Sequence, residues 1–137
     1  MEQVIEFIGN HALLVAAWVL TLLMLLWNEN RKGGKSVTAA IATQMINKED
    51  ALILDIRPKK EWVAGHITGA RNLPLAELDR RIDELTKFKS KPVIIVCNLG
   101  QTASAAVKKL NAADFNNVVR LSGGMTEWKA QSLPVVK

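Results

Sequence analysis

One cysteine stands in the 137 residues, beside two histidines. A single thiol builds neither an intramolecular disulfide nor a cysteine-cluster zinc site, and two histidines add too few ligands for a dedicated metal centre. Tyrosine is absent and there are only three phenylalanines and four tryptophans, so the aromatic platform that single-stranded nucleic acid stacks on is missing. Eight glycines without a period exclude a collagen-like chain. Charge is lacking at the front: residues 1–27 hold only Glu2 and Glu6. All 18 basic residues and 11 of the 13 acidic ones follow, which gives the later part +7 out of a chain total of +5. What is present, 49% hydrophobic and 23% charged residues, is the composition of a globular protein rather than a disordered one.

From Phe7 to Asn28 no side chain is formally charged, His11 aside, and Ala12 to Trp27 is apolar except for Thr21. As one helix these 22 residues reach about 33 Å, enough for a hydrocarbon core about 30 Å thick. No polar face recurs in the run, as it would on the core helix of a globular domain. The acidic start and the bulky Leu25-Leu26-Trp27 ending do not fit a cleaved secretory signal. Residues 1–28 therefore read as an N-terminal transmembrane anchor with one membrane-spanning helix, in contact with lipid through residues 7–28. Arg31, Lys32 and Lys35 follow it; basic residues stay on the cytoplasmic side, which predicts a single-pass protein with its main domain cytoplasmic, in the inner membrane if the source is bacterial. Residues 29–36, with Gly33-Gly34 among charges, read as a basic flexible linker.

Residues 37–137 alternate apolar runs with amphipathic stretches. Thr38 is placed to cap a helix over 39–46. Ala51 to Leu54 and Val93 to Val96 are continuous apolar runs, as in strands covered on both faces. Pro58 opens a short helix reaching Val63, and Pro74 opens a helical segment with Leu75, Leu78, Ile82 and Leu85 in phase. A helix is expected from Thr102 to about Asp114, a strand over 118–121, and a last helix through Trp128 after Gly123-Gly124. Such alternation predicts an α/β fold, a parallel sheet flanked by helices. Ligands of these sheets gather at the carboxyl ends of the strands, and Cys97 is at one of them.

A cysteine between a buried strand and a helix N-terminus faces N–H groups without intrahelical partners and the positive end of the helix dipole. Gly100 permits the backbone to curl its N–H groups into an anion-binding nest. Both favour thiolate, the nucleophilic form; the competing reading is an inert, small apolar side chain.

Three blocks resemble the rhodanese domain, a sulfurtransferase family whose active-site cysteine carries a persulfide. The first runs from Asp55-Ile56-Arg57 through Glu61-Trp62 and Gly65-His66-Ile67 to Gly69-Ala70-Arg71-Asn72-Leu73-Pro74. The second is Cys97-Asn98-Leu99-Gly100-Gln101-Thr102, similar to the family's six-residue loop. The third is Leu121-Ser122-Gly123-Gly124-Met125-Thr126-Glu127-Trp128, with Pro134 after it. The resemblance implies a catalytic Cys97, a substrate-binding loop of Asn98, Leu99, Gly100, Gln101 and Thr102, and supporting roles for Asp55, Arg57 and His66. Asp55 and Arg57 read as a partly buried charge pair, and His66 as a histidine satisfied by backbone groups. No metal or organic cofactor is implied.

Residues 98–102 contain no arginine or lysine, whereas many thiosulfate-using relatives have a basic residue there. Thiosulfate is therefore expected to be a poor donor, with a protein persulfide or another small sulfur donor in its place and a thiol as acceptor. The longer, arginine-bearing loop of rhodanese-like phosphatases is absent, which argues against phosphoryl transfer. Scattered lysines argue against nucleic-acid binding. A catalytically weak, membrane-anchored sulfur-binding or protein-interaction module shares every motif and stays open at this point.

Overall fold

The computed structural model describes residues 1–32, 34–100 and 102–137, with the backbone alone for 29–32. Its elements are α1 (Glu2–Asn10), α2 (Ala12–Lys32), β1 (Lys35–Val37), α3 (Ala39–Glu49), β2 (Leu52–Asp55), α4 (Lys59–Ala64), β3 (His66–Ile67), β4 (Arg71–Asn72), α5 (Leu78–Arg81), β5 (Val93–Val96), α6 (Ala103–Ala112), β6 (Val118–Leu121), α7 (Gly124–Ala130) and β7 (Val135–Val136). Two compact units result, Met1–Lys32 and Gly33–Lys137.

In the first unit the expected single spanning helix is broken. His11 leaves helical geometry (φ −123°, ψ 34°), and α1 and α2 meet there at 90°. Gly9 and Asn10, both poor helix formers, precede the break. Among the described residues no single helix is long and apolar enough to cross a membrane; the bent pair meets that measure only when α1 and α2 are taken together. Apart from half-buried Val15, the large apolar side chains from Leu13 to Trp27 are exposed, Trp18 and Trp27 included.

The second unit is an α/β fold. Its five-stranded sheet has the order β1-β6-β5-β2-β4, and every pairing is parallel. Central β5 is buried along its whole length. Its period of two sends Val93 and Ile95 to one face with α6 side chains Ala103, Ala106, Val107 and Leu110, and Ile94 and Val96 to the other with Ala42, Met125 and Trp128. Helices on both faces cover the two halves of the core, the arrangement the alternating sequence predicts. Thr38 caps α3, its Oγ1 accepting from the Ile41 N–H at 3.3 Å.

Several elements differ from expectation. Lys35 and Ser36, read as linker, belong to β1, where Lys35 pairs with Val119. The segment after Pro74 is a 3-10 turn (Leu75–Glu77), a single α-turn and a second 3-10 stretch (Ile82–Phe88). Its Leu78 and Leu85 are buried as the spacing implies, while Arg81 bonds Glu77 and Glu84 on the wet side and holds the Glu84 carboxyl below its usual range. A separate antiparallel pair, β3 with β7, was not expected.

Candidate active site

Alternation along β5 decides where the single thiol points. Cys97 continues the series Val93, Ile95 and lies 2% exposed in the same half of the core. The loop after it then turns back over the sulfur. Gly100 adopts φ +87°, a left-handed geometry that favours glycine, and its N–H donates to Cys97 Sγ at 2.9 Å. A Cβ here would also come within 3.3 Å of the Gly123 N and the Leu121 carbonyl.

The loop is held from behind by the start of α7. The Met125 N–H donates to the Cys97 carbonyl (2.8 Å) and the Thr126 N–H to the Asn98 carbonyl (3.0 Å), so two N–H groups that lack partners inside their own helix are satisfied by the loop. Gly124 makes this approach possible: a Cβ there would sit 2.1 Å from the Cys97 carbonyl oxygen. From β6, Arg120 Nη1 donates to the Ser104 hydroxyl (2.9 Å) and, at 3.4 Å, to the Gly100 carbonyl. The loop sequence has no cation, yet the fold places one against its backbone.

A cavity of about 520 Å³ opens beside Cys97. Ile56, Pro58, Pro74, Leu75 and Leu99 give it apolar walls; Arg57, Glu61, Asn98 and Thr102 supply its polar groups. Arg57, 4% exposed, donates from Nε and Nη2 to the Asp55 carboxylate (3.0 and 2.8 Å) and from Nη2 to the Gly65 carbonyl (2.8 Å). Asn72 Nδ2 ties the Asp55 and Arg57 carbonyls together. Asn98 Nδ2 donates to both Glu61 carboxylate oxygens at 3.1 Å.

The structure thus gathers Cys97, Asn98, Leu99 and Thr102 at one cavity, with Gly100 beneath the sulfur, Arg57 in the wall and Asp55 behind it. Gln101 lies outside the described residues. His66 takes no part in the lining: it stacks on Trp62 at 3.4 Å and donates from Nδ1 to the Trp62 carbonyl at 2.9 Å. No group of three or more potential metal-ligating His, Cys, Asp or Glu side chains converges among the described residues. Reasoning from sequence missed Glu61 as a site residue, the α7 brace and Arg120. The one available signal for Arg120 was a charge inside the apolar strand Val118-Val119-Arg120-Leu121.

Comparison with known proteins shows the family to which this fold belongs. Residues 38–131 match the model of the rhodanese-like domain. The chain is 34% identical over 141 residues to the uncharacterized protein YibN of Escherichia coli K12, covering all of this chain and 99% of that protein. It is 34% identical over 96 residues to the thiosulfate sulfurtransferase GlpE of Pseudoalteromonas translucida, covering 70% of this chain and 90% of GlpE. The crystal structure of a rhodanese-related protein from Thermoplasma volcanium superposes with a TM-score of 0.67 at 29% identity, over 74% of this chain and 97% of that one.

Proposed function

The chain belongs to the rhodanese-like domain family, and on that premise we propose that it is a sulfurtransferase which carries sulfane sulfur on Cys97. The observation that supports this best is the Gly100 N–H aimed at Sγ on the floor of an open cavity. That bond serves Sγ as a thiolate awaiting sulfur, and again as the thiolate that leaves when the outer sulfur is passed on. The first displacement joins Sγ to the outer sulfur of the donor as the donor's own sulfur bond breaks, and the electron pair leaves with the donor remnant. In the second, an acceptor thiolate takes the outer sulfur and Cys97 leaves as thiolate. Sulfur changes carriers with no net oxidation.

Protein-borne or small persulfides suit the cavity better than thiosulfate, because the only cation among the described residues of its wall, Arg57, is paired with Asp55. The intact mass of the full chain, measured after exposure to a sulfur donor, tests the proposal. A reducible gain of one sulfur atom is expected, absent from Cys97→Ser. No gain with any donor would leave a binding module in place of an enzyme.

The first unit is part of the same reading. The exposed apolar side chains of α1 and α2 support reading them as a membrane attachment, and the basic residues that follow in the sequence favour a cytoplasmic side for the rhodanese-like domain.

A further inference from the structure

The cavity beside Cys97 has an uneven charge. Arg57 and Asp55 neutralise each other within 2.8 Å, and Thr102, Asn98 and the apolar walls add none. Glu61 is left as the one uncompensated charge among the described lining residues. It is half-buried on α4, and both of its oxygens are fixed by the side chain of the residue next to Cys97. The donor is a neutral amide, so the bonds hold the carboxylate in place without cancelling it. Lys59 and Lys60, its neighbours on α4, are exposed.

We propose that Glu61 sets the charge selectivity of this cavity, disfavouring dianionic donors such as thiosulfate and favouring a persulfide that bears an ammonium group, the aminothiol class. The inference rests on Cys97 being the sulfur carrier. Thiosulfate brings two negative charges toward a thiolate already beside a fixed carboxylate, and sulfite must leave as a dianion through the same space. An aminothiol persulfide brings its positive charge to Glu61 and lays its carbon chain along Pro58, Pro74 and Leu75. Cys97 Sγ then bonds to the outer sulfur, the bond between the donor's two sulfurs breaks, and its electron pair departs on the aminothiolate. The proton stays on the transferred sulfur, so no oxidant or reductant is needed.

The test compares initial rates of sulfur loading on Cys97, read by intact mass, for the full chain and its Glu61→Gln variant in detergent micelles. Thiosulfate and cysteamine persulfide are the donors, each at low and high salt. Glutamine keeps one oxygen for Asn98 and removes the charge together with the second of the two bonds. At low salt the variant is expected to load roughly tenfold faster from thiosulfate and several-fold slower from cysteamine persulfide, with both differences shrinking at high salt. A disturbed fold cannot move the two rates in opposite directions. Equal changes in both rates, or loss of both, would give Glu61 a packing role and overturn the proposal. If the unaltered chain loads from neither donor, the carrier reading falls first and this inference with it.

Discussion

At Arg57 three donor groups, the backbone N–H, Nε and Nη2, converge on the carboxylate of Asp55, two residues earlier, and both side chains are almost wholly buried. Such a pair stabilises little relative to apolar side chains of the same volume, but breaking it leaves a charge with no partner. Asp55→Ala is therefore expected to cost about 3–5 kcal/mol in unfolding free energy, read from the shift of a urea transition. The double change Asp55→Leu with Arg57→Met is expected to lose less than the single one. The pairing was legible in the sequence because two opposite charges flank one apolar residue at the end of an apolar run. Glu61 was legible as a position and not as a role: nothing in the chain near it announces that Asn98, far along the sequence, will clamp it.

The sulfur loop is shaped as much by α7 as by the helix it leads into. The sequence points to the N-terminus of α6 as the cradle, whereas the bonds to the loop carbonyls come from Met125 and Thr126. Gly124→Ala is expected to drive a methyl group into the Cys97 carbonyl, destabilise the domain by about 1–3 kcal/mol and slow sulfur loading more than the stability loss accounts for. Gly69→Ala is the comparison. It has φ +79° but nothing within 4 Å, so it bears only the backbone penalty of about 1 kcal/mol and keeps normal loading. Unfolding curves and loading rates on the two variants separate the effects. Elements of four or more residues with a clear apolar pattern, such as β5, β6 and α6, could be read directly. Strands β1, β3, β4 and β7 have two or three residues, too few for a period to register, and they form because neighbours already in place offer them hydrogen bonds. The bend at His11 escaped for the opposite reason: hydropathy averaged over 22 residues does not sense one interrupted turn.

Over the whole molecule, the two units divide sharply in surface chemistry, one apolar to solvent and the other closed around its own core. Removal of residues 1–28 is expected to give a protein that stays monodisperse without detergent and still takes up sulfur on Cys97; sedimentation with membrane vesicles, before and after the truncation, checks the attachment. The α/β layout of the second unit was readable from alternation alone, since every long apolar run is separated from the next by a helical stretch that must return across the sheet. The seclusion of the lone thiol has a consequence for how copies of this protein coexist. A chain with one cysteine can be oxidised to a disulfide only by meeting a second molecule, and that bond requires sulfurs about 2 Å apart. Two thiols that are each 2% exposed on a floor walled by proline and leucine do not meet at that distance while both loops keep their shape, so copies of this chain are expected to stay covalently separate on exposure to air, as a non-reducing gel would read.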